Sequence, residues 1–240
     1  MSRKPSPLDP LEAIRALLPR LNLTTVALRL DDLLRAAETE RPAYSAFLQQ
    51  VLEAEESARW ERMLERRRRR SRLGAPVTLE GFNWAARPDL KPSVIKELLT
   101  CRFVEERRNL ILVGRPSTGK TTVARAIGHA ACGLGRSVYY GTMADTLESV
   151  HAACLDHTFQ RAFRRVAQPE LLILDDAGFS ELGRDAAHEL FRLVCARHRQ
   201  RSTIIVSNLP FRKWGEFLPS PAQAVAIADR LIEDATILRF

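Results

Sequence analysis

The stretch Leu110-Ile111-Leu112-Val113-Gly114-Arg115-Pro116-Ser117-Thr118-Gly119-Lys120-Thr121-Thr122 fixes how the rest of the chain is read. Four apolar residues run into a GxxxxGK[ST] pattern, and a helical sequence, Val123-Ala124-Arg125-Ala126-Ile127, comes directly after it. That order predicts strand, glycine loop and helix, the context in which the pattern binds phosphates. Gly114 and Gly119 let backbone N–H groups curl around the phosphates, and the dipole of the helix beginning near Lys120 favours the same negative charge. Lys120 is expected to reach the β and γ phosphates from a solvent-filled site, with the Thr121 hydroxyl turned to Mg²⁺. A glycine turn that binds nothing is the competing reading, and the flanking strand and helix argue against it.

Outward from this loop, helices alternate with short apolar runs from residue 93 onward. Such alternation predicts an α/β fold, a parallel sheet flanked by helices on both faces. The expected strands are 109–113, 137–141, 171–174, 203–207 and 236–240. Leu171-Leu172-Ile173-Leu174-Asp175-Asp176 is a buried run ending in two acids. Asp175 is placed to hold Mg²⁺, and Asp176 to activate a water against the γ-phosphate. Thr203-Ile204-Ile205-Val206-Ser207-Asn208 ends at the same sheet edge, where Asn208 could orient that water. Asn before Leu209-Pro210 also begins an ordinary turn. Arg230, in Asp229-Arg230-Leu231, could stabilise charge on the γ-phosphate within the chain or from a neighbouring subunit; a surface ion pair is the alternative.

The 240 residues are 45% apolar, which supports a substantial core and excludes a disordered or fibrous chain. No apolar run approaches the roughly 18 residues needed to span a bilayer, and the N-terminus carries prolines where a secretory signal is apolar. A cytoplasmic protein without membrane contact is expected. Cys101, Cys132, Cys154 and Cys195 are too scattered for a metal site and are read as buried thiols; His129, His151, His157, His188 and His198 are read as structural. The net charge of +8 is concentrated: Arg59, Arg62, Arg66, Arg67, Arg68, Arg69, Arg70 and Arg72 face only Glu61 and Glu65 in the same stretch. Five consecutive arginines repel one another, and a phosphate backbone relieves that repulsion, so Arg66–Arg70 are candidate DNA contacts.

Residues 1–73 are expected to form a small helical domain, with the first fourteen or so mobile and Pro19 interrupting the pattern. Phe47, Leu48, Val51 and Leu52 lie on one expected apolar face. Residues 74–92 read as a linker that docks on the downstream domain, and 93–240 as the ATPase domain.

Taken together, these motifs resemble a known family. The Thr78-to-Trp84 linker, the phosphate loop, Leu171–Asp176, Asn208-Leu209-Pro210-Phe211 with Trp214-Gly215-Glu216, and Asp229-Arg230-Leu231 resemble the IstB-type transposition helper ATPases. These are AAA+ proteins similar to the DnaC helicase loader. The resemblance implies an ATP- and Mg²⁺-dependent ATPase that forms a homo-oligomer on double-stranded DNA, with ATP at subunit interfaces, and assists a partner transposase. It assigns Lys120 and Thr121 to the phosphates, Asp175 to the metal, Asp176 to hydrolysis, Asn208 as sensor and Arg230 as arginine finger. Many relatives carry Glu where Asp176 stands, although Asp also occurs there. A helicase-loader-like adaptor using ATP as a switch, or a module that holds nucleotide without turnover, are the alternatives.

Overall fold

The computed structural model describes residues 9–82, 84, 90–155 and 157–240, and the chain divides after Glu65 into two compact units. The first holds α1 (Pro10–Arg20), α2 (Thr24–Glu40) and the first turns of α3 (Tyr44–Ser71). Proline is tolerated at the first helical position, and the Asp9 carboxylate accepts from the Leu11 amide. The helix therefore starts at Pro10, within the segment expected to be mobile, and Pro19 falls in its last turn without dividing it. Leu18, Val26 and Leu30 form the small core, with Val51 packed against it. Leu48 and Leu52, expected on the same buried face, are about half exposed.

One buried acid organises this unit. α2 has no side-chain cap of its own, and the Glu55 carboxylate from α3 takes that role, accepting from the amides of Thr25 (2.7 Å) and Val26 (3.1 Å). Arg59 and Arg62 pair with its other oxygen. Burial alone would raise the Glu55 carboxyl, but the two amides and Arg59 outweigh it and hold it below the usual carboxylate range.

The second unit is a five-stranded sheet of β1 (Leu110–Val113), β2 (Val138–Thr142), β3 (Leu171–Ala177), β4 (Ser202–Ser207) and β5 (Thr236–Arg239). Strand order is β2-β3-β4-β1-β5, and every pairing is parallel, as the alternating pattern predicts. Around it lie α4 (Pro92–Leu99), α5 (Arg102–Glu105), α6 (Lys120–Gly133), α7 (Met143–Leu155), α8 (Phe159–Ala167), α9 (Arg184–Arg197) and α10 (Pro221–Ile232). The strands alternate between two cores. Leu110, Leu112, Leu171, Ile173, Ile204 and Val206 pack with Val123 and Ile127 of α6. Ile111, Tyr139, Leu172, Leu174 and Ile205 pack with Leu147, Leu190 and Ile227 on the other face. The central strands β1, β3 and β4 are buried on both sides, which explains their apolar runs, whereas the edge strand β5 is half-exposed.

The division after Glu65 differs from the boundary at residue 73 expected from sequence. The last turns of α3 belong with the sheet because Leu73 is buried in the α6-side core and Arg125 donates to its carbonyl. Farther along the expected linker, Leu79, Phe82 and Trp84 pack on that same core. Residues 83 and 85–89 of that linker lie outside the described residues. The four cysteines are free thiols; Cys101 and Cys132 are buried, whereas Cys154 and Cys195 are exposed, contrary to expectation, on the outer faces of α7 and α9.

Candidate nucleotide site

The phosphate loop leaves the carboxyl end of β1 and enters α6 at Lys120. Two glycines make this turn possible. Gly119 has φ +93°, a left-handed conformation that only glycine adopts freely, and the Phe82 ring occupies the space a Cβ would need. At Gly114 a Cβ would overlap the Phe240 carbonyl, so the chain after β5 could not lie so close to any other residue.

Lys120 is almost fully buried, not in an open, solvent-filled site. Its ammonium donates to the carbonyls of Gly114 (2.9 Å) and Arg115 (2.6 Å), the loop's own acceptors. Arg115, Pro116 and Ser117 form the exposed tip, and the Thr118 hydroxyl donates to Arg115 O at 2.9 Å. Thr121 and Thr122 stand in the first turn of α6.

The second half of the site comes from β3. Thr121 Oγ1 donates to Asp175 Oδ1 at 3.2 Å, across 54 residues of sequence. The Tyr140 hydroxyl, on the neighbouring strand β2, donates to Asp175 Oδ2 at 2.8 Å. Asp175 is 1% exposed, so its carboxylate is presented by these partners rather than by water. Burial, then the Asp175 carboxylate that accepts its proton, pushes the Tyr140 phenol up and keeps it a donor.

Consecutive strand residues point to opposite faces, yet Asp175 is buried and Asp176 lies at the exposed edge of the site. A bulge accomplishes this. Leu174 pairs with Ile205 and Ala177 with Ser207, leaving two residues of β3 opposite one of β4, and Asp176 takes φ +54°. The Asp176 amide donates to Asp175 Oδ1 at 2.9 Å, which ties the two acids together. Burial, reinforced by the Asp175 charge and opposed by Lys120, holds the Asp176 carboxyl above the usual range.

Asn208 directly follows β4, whose Ser207 carbonyl accepts from the Gly114 amide at 3.2 Å, so it stands at the loop's root. Ser207 Oγ donates to Ala177 O at 2.6 Å and thereby clamps the end of β3 to this turn. Arg230 is not brought to this site. Asn109, at the opposite end of β1, donates from its side chain to Leu231 O, so α10 delivers Arg230 to the far end of the sheet. There its Nη1 donates to Ala226 O at 2.7 Å and its guanidinium lies 5.3 Å from the Phe191 ring. Of the arginine run, Arg67 is half-buried and Arg66, Arg68, Arg69 and Arg70 are exposed on the last turns of α3.

Sequence reasoning missed Tyr140 and Phe82. Tyr140 looks like any β-forming aromatic until β2 is paired with β3, and Phe82 could be found only as an aromatic beside a glycine-rich turn.

The IstB-like ATP binding protein family matches residues 16–240. An ATP-binding protein of insertion sequence IS5376 from Geobacillus stearothermophilus is 31% identical over 94% of this chain and 90% of its own length. One from insertion sequence IS21 of Pseudomonas aeruginosa is 32% identical over 94% and 85%. Among solved structures, the DnaC helicase loader superposes over 68% of this chain and 96% of its own with a TM-score of 0.54 at 21% identity. AMPPCP-bound DnaA from Aquifex aeolicus covers 70% and 51% with a TM-score of 0.59 at 21% identity. Both are likenesses of fold. With its phosphate loop, paired acids and five-stranded parallel sheet, the chain belongs to the IstB-like family of ATP-binding proteins and is an ATPase.

Proposed function

We propose that this chain hydrolyses Mg²⁺-bound ATP at interfaces between identical subunits assembled on double-stranded DNA, and that the assembly assists a partner transposase. The observation that carries the reading is the separation of Arg230 from the phosphate loop of its own chain, at opposite ends of one sheet. A cation at the far end can reach a γ-phosphate only across a contact with another copy, head to tail, and such contacts build rings or filaments.

The residues present fit the metal. Thr121 and Asp175 are already hydrogen-bonded, oxygen to oxygen, and among the described residues no cluster of three or more ligating side chains exists. That donor set suits Mg²⁺, which keeps its waters and binds through one or two protein oxygens together with substrate phosphates. Bound there, the ion would neutralise charge developing on the phosphates. Thr121 would turn its hydroxyl lone pair toward it, Tyr140 would keep Asp175 oriented, and Lys120 would exchange loop carbonyls for phosphate oxygens. Asp176 would take the proton of the attacking water, and Asn208 would hold that water in line.

Support for DNA comes from the arginine run, and support for a transposase partner from relatives that belong to insertion sequences. Among the described residues no helix is long and apolar enough to cross a membrane. Sedimentation of the protein with duplex DNA tests the reading. Large complexes should form with ATP and duplex together and not with single-stranded DNA; a monomer under all conditions would refute it.

A further inference from the structure

β2 is an edge strand, and beside its start opens a cleft of about 970 Å³. Arg66, Arg67 and Arg70 reach it from the end of α3, and Arg161 and Arg165 from α8, ninety-odd residues later in the chain. The cleft also touches Ser137 and Pro169, which precede β2 and β3, so it lies at the end of the sheet opposite the phosphate loop. It is a second cationic site and not an extension of the first.

Two features make this cleft more than a solvated basic face. Among the described residues no acid lines it, and none of the five arginines forms an ion pair. Arg165 donates to Ser149 Oγ at 3.2 Å, while Nη1 of Arg67 is buried with no hydrogen-bond partner among the described residues. A buried donor left unmet is costly, and turning the half-buried guanidinium toward an anion in the cleft would satisfy it. Arg161 and Arg165 stand four apart on one helix face, where like charges destabilise the helix unless something neutralises them.

We propose that this cleft grips the phosphodiester backbone of duplex DNA between α3 and α8, with Arg161 and Arg165 as the second jaw opposite the arginine run. A compact anion would engage only the cleft, whereas a linear polyanion also reaches the exposed Arg68 and Arg69 beside it. The inference rests on the DNA reading above and adds α8 to it. α8 is well anchored for this role. The buried Arg197 donates to Ala167 O and Pro169 O, both at 2.8 Å, and so holds the C-terminal end of that helix against β4.

The test is binding of a short fluorescent duplex of mixed sequence, measured across a series of salt concentrations. Removing one phosphate contact reduces the slope of log K against log[salt] by about 0.9, so Arg161→Gln with Arg165→Gln should reduce it by about 2. Arg164→Gln, on the same helix but outside the cleft, should leave the slope unchanged. Melting temperatures of the free variants should not fall. An unchanged slope in the double variant, with the slope reduced by Gln at Arg66–Arg70, would overturn the second jaw and leave the arginine run as the DNA contact. Unchanged slopes in both would also remove the DNA reading of that run. A reduction in Arg164→Gln equal per charge to that in the double variant would show diffuse attraction and overturn the cleft.

Discussion

Tyr140 donates its hydroxyl to Oδ2 of Asp175 at 2.8 Å, so an edge strand fixes the orientation of the acid that faces Thr121. A buried carboxylate with one anchored oxygen can offer the other to a metal or its waters without first reorganising. Tyr140→Phe removes that anchor and little else, because the ring packs the same way. The Mg²⁺ concentration giving half-maximal hydrolysis should rise roughly tenfold, in line with a hydrogen bond to a charged group, while the rate at saturating Mg²⁺ changes less. A fall in the saturated rate with unchanged Mg²⁺ dependence would assign Tyr140 to a different task.

Asp176→Asn should keep ATP binding and lose hydrolysis, because Asp175, Thr121 and Lys120 remain. Filter binding and single-turnover hydrolysis separate the two effects. The pH profile of the unmodified protein reflects the raised Asp176 carboxyl. Only the deprotonated form accepts a proton, so activity should fall on acidification and begin to do so at higher pH than an ordinary aspartate would allow. In Asp176→Glu the acid limb should persist, and in Asp176→Asn it should vanish with the activity.

Glu55 should govern the start of α2. Its carboxyl is held below the usual range, so its contribution is present above the ordinary carboxylate pKa and fades as pH falls through the lowered value. Glu55→Gln keeps one acceptor but loses the charge that both arginines use. Amide exchange at Thr25 and Val26 in the full chain should accelerate about tenfold at neutral pH, the effect of about 1.4 kcal/mol. Equal exchange in both proteins would show that the cap is idle.

The sheet was readable because its central strands β1, β3 and β4 are apolar runs buried on both faces; all five strands run within one residue of the expected bounds, apart from β3, which continues through Ala177. What escaped the sequence depends on pairing between distant segments. The bulge that separates Asp175 from Asp176 exists only relative to β4, and Tyr140 meets Asp175 only because Thr142 pairs with Asp175 in the β2–β3 register. The arginines of α8 carry no signal until α3 and α8 are brought to one cleft. The helix at Pro10, by contrast, was readable: Asp9 before a proline is a helix start, outweighed by the other prolines nearby.

Lys120→Ala should abolish hydrolysis and also loosen the loop, since the buried ammonium bridges the carbonyls of Gly114 and Arg115. A modest drop in melting temperature should therefore accompany the loss. Full activity would remove this loop from the reaction.

If Arg230 of a neighbouring copy completes each site, two variants that are inactive alone should complement one another when mixed. Arg230→Ala retains the cradle and Asp176, while Asp176→Asn retains Arg230 and ATP binding. Each alone should hydrolyse ATP about a hundredfold more slowly than the unmodified protein. Mixed in equal amounts on duplex DNA, random head-to-tail assembly places an intact cradle against an intact Arg230 at about a quarter of the interfaces, and the rate should recover to that share. No recovery beyond the sum of the two variants, or an Arg230→Ala protein as active as the unmodified one, would show that Arg230 completes no neighbouring site.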